Sequence, residues 1–191
     1  MYNRANGNEN LFRQDKNYSF FLEKFAHHIN PVADTYAYCL MPNHFHFLLR
    51  IKEEEVLKSY FTAAGKTSKV FEDLGGLISQ PFSNLFNSYT KAFNKLYDRK
   101  GSLFSPNFKK KEITSDAYLT NVIHYIHTNP VHHGFVKDLY DWPHSSLHAF
   151  LTQKKTALKR KEVIQWFGGT QDFLNFHHQP IEHNRILEMD F

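Results

Sequence analysis

Asp34-Thr35-Tyr36-Ala37-Tyr38-Cys39-Leu40-Met41-Pro42-Asn43-His44-Phe45-His46-Phe47-Leu48-Leu49-Arg50-Ile51 reads as two strands around a tight turn. Residues 34–40 and 44–51 are rich in aromatic and apolar side chains. Met41-Pro42-Asn43 between them is turn chemistry, which predicts an antiparallel hairpin. Side chains alternate faces along a strand. His44 and His46 therefore share one side, and Phe45 and Phe47 the other. A sheet core has no need of two neighbouring ring nitrogens on one face, but a metal ion does.

Outward from the hairpin, Phe20, Phe21, Phe25 and Ile29 recur at helical spacing, which predicts a helix over 16–29 with Asp15 as N-cap and Pro31 beyond its end. Residues 52–80 are weakly patterned, contain Gly65, Gly75 and Gly76, and read as a partly helical insertion. Phe82, Leu85, Phe86, Tyr89, Phe93, Leu96 and Tyr97 predict a helix over 82–99, stopped by Gly101. Leu103 to Lys109 reads as a further strand. A helix over 116–128 is expected to end at Asn129-Pro130, because proline disfavours a helical residue before it. Short helices follow near 145–151 and 161–167. This order predicts an α+β fold: a ferredoxin-like α/β sandwich on a mainly antiparallel sheet, with C-terminal helices.

Bulk properties narrow the function classes. A chain of 191 residues with 41% hydrophobic residues suits one domain with a useful core. It has no apolar run of membrane-spanning length and no apolar signal-peptide core, and its one cysteine, Cys39, sits in a strand-like run as a core residue. These features favour the cytoplasm and no membrane partner. Net charge is +4 (23 basic, 19 acidic). Residues 81–111 alone carry Lys91, Lys95, Arg99, Lys100, Lys109, Lys110 and Lys111 against Asp98, so that segment is +6 and the rest −2. A concentrated basic, aromatic segment is the footprint expected of a phosphate-backbone binder.

On a helical wheel of the 116–128 segment, Leu119, Val122, Ile123 and Ile126 share the core side. Tyr125 and Asn129, one turn apart, fall on a different, polar side with Tyr118 and Asn121. If that side lies over His44 and His46, two imidazoles, an amide oxygen and a phenol converge. Neutral imidazoles and an amide oxygen suit Mg²⁺ or Mn²⁺ with positions open for substrate oxygens. A phenol oxygen can attack phosphorus and store the bond energy as a phosphotyrosine. The lack of a carboxylate at this spacing argues against a two-metal hydrolase. Each residue alone has an ordinary structural explanation, and only the combination carries weight. His124 and His127 fall on other faces of the helix, and His27, His28, His177 and His178 read as surface groups.

These motifs resemble a known family. Met41 to Leu49 resembles the His-hydrophobic-His (HUH) motif of single-tyrosine DNA transposases. Tyr125-Ile126-His127-Thr128-Asn129-Pro130-Val131-His132-His133-Gly134 resembles the tyrosine motif of one branch, the REP-associated tyrosine transposases. Trp142-Pro143-His144-Ser145-Ser146-Leu147-His148-Ala149-Phe150 resembles the segment that follows it. Asn3-Arg4, Asn6 and Phe12 resemble the branch's N-terminal end.

The resemblance implies an HUH tyrosine transposase domain over 1–151, with 52–80 as an insertion, and a C-terminal helical extension over 152–191 packed on it. It implies a metal-dependent transposase that cleaves and rejoins single-stranded DNA near hairpins through a 5′-phosphotyrosine. Tyr125 would be the nucleophile. His44, His46 and Asn129 would hold Mg²⁺ or Mn²⁺, Asn129 standing where other branches carry glutamine. Arg4, Asn43, Lys91, Lys95, Lys109, Lys110 and Lys111 would contact DNA, and the protein would be nucleoid-associated. Monomer and homodimer both stay open. The alternatives are a domesticated hairpin DNA- or RNA-binding protein without cleavage, and a hydrolase using the two histidines. Four departures stand out: a short first strand at Tyr2-Asn3-Arg4 that should weaken the sheet or expose an edge, the long 52–80 link, His133 where the family often has a small residue, and a loose match beyond residue 152.

Overall fold

The computed structural model describes residues 1–66, 73–113 and 115–180. Its sheet has three antiparallel strands in the order β1 (Tyr2–Arg4), β3 (His44–Ile51), β2 (Ala33–Met41), so the histidine strand is central. β2 and β3 form the expected hairpin, closing at the Met41–His44 pair with a register shift between Thr35 and Ala37. β1 pairs with β3 through Tyr2–His46 and Arg4–His44.

Period-2 alternation sets the layers. Phe45 and Phe47 are buried in one core with Phe21, Phe25 and Tyr89. Those come from α1 (Asp15–Ile29) and α3 (Leu74–Leu96). Rings meet closely there: Phe25 and Phe47 stack at 4.1 Å. Each such ring removed from water contributes about 2–3 kcal/mol. The other face packs Tyr36, Ala37, Cys39 and Leu48 against Ile123 and Ile126 of α4 (Asp116–His132). Leu147 and Phe150 of α5 (Leu147–Phe150), Val163 of α6 (Arg160–Trp166) and Phe173 of α7 (Thr170–His177) join that second core. The molecule is therefore an α+β sandwich, with helices on both faces of an antiparallel sheet.

Both sheet edges are covered. Tyr2 N–H donates to Lys109 O at 2.9 Å, and Asn6 N–H to Leu103 O at 2.9 Å, so residues 103–109 shield β1. The exposed edge expected from the short first strand is thus absent. That covering segment is not a strand. It bridges only at Phe104 and Lys109, because Ser105-Pro106-Asn107 interrupts it, with Asn107 at φ 57°. On the far side, Leu40 N–H donates to His144 O at 3.0 Å and Ser146 N–H to Tyr38 O at 2.9 Å.

Helix ends differ from expectation where side chains or tertiary burial intervene. Gln14, not Asp15, is the N-cap of α1, and its N–H is held by the Asn17 side chain at 3.1 Å. The 52–80 region contains α2 (Glu54–Ala63) and the start of α3. α3 runs through Gly75, Gly76 and Pro81, since Asp73 caps it and Leu77, Pro81, Phe82, Leu85, Tyr89 and Phe93 bury one stripe. α4 does not stop at Asn129. It carries Pro130 inside and ends in a Schellman closure, with Gly134 N–H to Val131 O at 3.0 Å and Phe135 N–H to Pro130 O at 2.9 Å. Gly134 takes φ 70°, a conformation that costs a side chain strain. Among the described residues, no helix is long and apolar enough to cross a membrane.

Candidate active site

Strand alternation aims His44 and His46 at α4, and the strand register puts Tyr2 and Arg4 of β1 on the same face. Tyr2 stacks on His46 at 5.7 Å. The His44 and His46 rings lie 5.4 Å apart, nearly perpendicular. From above, Tyr125 of α4 brings its ring to 5.6 Å from His46. Asn129, one turn on, is fully buried, and its amide N–H donates to Tyr125 O at 3.3 Å. The four groups named from the sequence therefore lie together. Their setting is not the polar helix face expected: every residue from Ile123 to Pro130 is buried, and Tyr125 is 4% exposed. α4 lies flat on the sheet and is covered behind by the C-terminal helices, so polar residues are enclosed as well.

Electrostatics keep both imidazoles neutral. Burial, aided by neighbouring His133, lowers the His44 pKa to about 4, and Asn129 partly offsets this. His46 is pushed well below the usual histidine range by burial, with His44 adding to it. His44 Nδ1 lies 2.7 Å from Asn43 Oδ1. An amide oxygen can only accept, so Nδ1 carries the proton and the Nε2 lone pair is left for a ligand. Metal-bound histidines are oriented in the same way by an acceptor on the other nitrogen. Asn43, expected on DNA, thus also sets the tautomer of His44.

The donor set fits a cation in one further respect. Asn129 stands close enough to stabilise a charged His44 ring, yet its buried Oδ1 is not aligned to accept any hydrogen bond. A buried acceptor left without a partner is costly, and a bound cation would satisfy it. Among the described residues no trio of His, Cys, Asp or Glu gathers at one point, and this amide offers an oxygen beside the two histidines.

Beside these groups lies a cleft of about 590 Å³, bordered by Tyr2, His46, Lys111, Glu112, Tyr125 and Trp166. The basic residues divide around it. Arg4 is exposed and paired with His44. Lys109 holds its ammonium 5.9 Å from the Tyr2 ring, Lys111 sits 5.4 Å from Tyr118, and Lys110 is exposed between them. Lys91 and Lys95 are exposed on α3, which packs on the opposite sheet face, so the structure does not bring them to this site. Arg99 is committed to Glu9 and to the Ser102 carbonyl.

Two features escaped the sequence reading. His133 places its ring 4.8 Å from His44, carried there by the last turn of α4 that was expected to be absent. His177, expected on the surface, is 1% exposed and lies 2.8 Å from His127. These two and Ser146 form a buried chain whose protons can be assigned. His177 Nδ1 donates to Phe173 O at 2.8 Å, because a carbonyl only accepts. His177 Nε2 then accepts from His127 Nδ1, and His127 Nε2 accepts from Ser146 Oγ at 2.7 Å. Tyr38 N–H donates to Ser146 Oγ at 2.9 Å and ends the chain on β2. The network ties α4 to α7 and to the sheet.

It also predicts a pH dependence. Burial lowers His177 to about 3 in the folded state, against an ordinary histidine value near 6.5. The unfolded chain therefore binds the extra proton first. This contribution is complete above pH 6.5 and is lost as pH falls toward 3. Between pH 6.5 and 5 one such histidine costs about 2 kcal/mol. The thermal midpoint should fall by about 4–8 °C over that range, and a midpoint independent of pH there would contradict the assigned protons.

No family model matches the chain. A Haemophilus influenzae protein assigned as a REP-associated tyrosine transposase is 30% identical over 117 residues, covering 60% of this chain and 59% of that protein. The REP-associated tyrosine transposase of Escherichia coli K12 is 29% identical over 92 residues, covering 48% and 52%. The chain resembles the REP-associated tyrosine transposases. Its matched part spans just over half the length of these curated relatives. A solved structure of a REP-associated tyrosine transposase bound to a REP hairpin superposes with a TM-score of 0.59 at 18% identity, over 80% of this chain and 77% of that one. That likeness establishes a shared fold.

Proposed function

We propose that this chain is a metal-dependent tyrosine transposase of the REP-associated type, which cuts and rejoins single-stranded DNA beside a hairpin. The observation that carries the reading is the meeting of Tyr125, His46, His44 and the unsatisfied Asn129 oxygen on one sheet face. The names of the similar proteins support it. A DNA-processing role goes with a cytoplasmic, nucleoid-associated protein.

The Tyr125 phenol oxygen would attack the phosphorus of a DNA strand. An Oη–P bond forms and the bond from phosphorus to the 3′ oxygen breaks. The phenol proton is lost and the departing 3′ oxygen gains one, leaving a 5′-phosphotyrosine and a free 3′-OH. Attack by another 3′-OH reverses the step and rejoins DNA. His44, His46 and Asn129 would hold Mg²⁺ or Mn²⁺, which when bound polarises the phosphodiester and offsets its growing charge. Neutral imidazoles offer lone pairs without a proton to displace. Arg4 would draw a phosphate to the His44 end, beside the cleft that Tyr125 borders.

A labelled hairpin oligonucleotide with single-stranded flanks, incubated with the protein and Mn²⁺, tests this on a denaturing gel. The proposal expects a slow band that survives denaturation. Strand cleavage with no such band would point to a hydrolase instead. One observation favours the hairpin-binding alternative: Tyr125 is only 4% exposed. Binding at normal affinity with neither nick nor adduct would support it. Metal binding has its own readout. Mn²⁺ at about 100 times its Kd should stabilise the protein by about 2.7 kcal/mol. His46→Ala should abolish that shift, and an unchanged shift would remove His46 from the ligand set.

A further inference from the structure

We propose that Phe135 and Trp142 form a stacking platform for an unpaired nucleobase that flanks the phosphate drawn to the His44 and His46 face. The proposal rests on the reading of the protein as a single-stranded DNA processor, and it says where that strand leaves the site.

Phe135 is the residue immediately after the glycine that closes α4, and its backbone N–H is tied to Pro130 O at 2.9 Å. Its position is therefore fixed by the same turn that ends the Tyr125 helix. Its side chain stays 41% exposed. A single exposed apolar side chain is ordinary. This one belongs to a file of rings. His133 lies 6.4 Å to one side and Trp142 5.6 Å to the other. His133 continues at 4.8 Å to His44. The file thus starts at a candidate metal ligand and leads outward.

Its far end is also anchored. Trp142 donates its indole N–H to Leu40 O on β2 at 3.0 Å, which fixes the ring's orientation, and it lies 5.7 Å from His144. An indole held by its own hydrogen bond beside a ring on a fixed backbone turn suits a flat ligand, because little freedom of the indole is lost on binding. Every base has a π-face, so a platform of this kind accepts any sequence. Arg4, exposed and paired with His44 on the same sheet face, supplies the cation for the neighbouring phosphate. The path is not lined by the Lys91 and Lys95 helix, which lies behind the sheet.

The test uses the full chain and a fluorescent hairpin flanked on both sides by unpaired deoxythymidines, with the same hairpin blunt-ended as control. Phe135→Ala should weaken binding of the flanked hairpin about 5- to 150-fold, the range of one lost base–aromatic stack, and leave the blunt hairpin unchanged. Phe135→Leu, which keeps an apolar side chain of similar bulk, should weaken it as well, while Phe135→Trp should retain affinity. An abasic site scanned through the flanks should lower wild-type affinity at one position and have no further effect there in Phe135→Ala. Equal affinity of wild type and Phe135→Ala for the flanked hairpin overturns the platform alone. Wild type that binds neither hairpin overturns the DNA reading and the platform with it.

Discussion

Tyr125→Phe is expected to abolish covalent attachment to DNA while hairpin binding stays within about twofold of wild type. The substitution removes one oxygen from a buried ring and keeps the shape that packs 5.6 Å from His46. If that oxygen is the nucleophile, the adduct is lost with it, and Tyr2, whose ring lies 5.7 Å from His46, serves as the control phenol. His44 and His46 would be engaged as metal ligands, and a strand cut by water would leave no adduct. The adduct should therefore vanish rather than decline. The proposed binding determinants, Arg4 and the 109–111 segment, lie on other elements and are untouched. A denaturing gel run beside an equilibrium binding titration separates the two outcomes. An adduct that persists in Tyr125→Phe would end the assignment.

The second large effect is on stability. His127→Leu should destabilise the fold by about 2–4 kcal/mol although it inserts an apolar residue into an apolar core. His127 both donates to His177 and accepts from Ser146. Leucine strands those two partners where no water reaches them, since His177 is 1% exposed and Ser146 fully buried. Each orphaned group costs about 1–3 kcal/mol, against which the gain from leucine is partial. The double variant His127→Leu, His177→Leu keeps Ser146 as the acceptor of Tyr38 N–H, removes the stranded His177 acceptor, and should recover part of the loss. Denaturant unfolding of the single and double variants measures this. A single variant as stable as wild type would mean that the chain of hydrogen bonds contributes nothing to holding α4.

Much of the architecture could be read in the chain because its signals are local. The 34–51 hairpin shows itself through period-2 alternation and a turn of Met41-Pro42-Asn43, and the strands form within one residue of the predicted bounds. Tyr125 and Asn129 share a helix side because they are four residues apart, which needs no tertiary information. What could not be read depends on partners distant in sequence. His177 looks like a surface histidine until α7 folds it against His127, fifty residues earlier. Gly75, Gly76 and Pro81 look like helix breakers until the buried stripe of α3 outweighs them. Pro130 looks like a terminator, yet α4 runs on to the Gly134 closure, which no periodicity signals, and delivers His133 to His44. Counting charge along 81–111 merges two groups of lysines that the sheet separates. Polar residues on α4 suggested a wet face, whereas helices packed behind it enclose them.

The most direct measurement is mass spectrometry of the protease-digested product formed with Mn²⁺ on a hairpin with single-stranded flanks. The account predicts one modified peptide, carrying nucleotide through a 5′-phosphate on the Tyr125 oxygen, with the other strand fragment ending in a free 3′-OH. Attachment at another tyrosine, or cut DNA with no peptide attached, would contradict it.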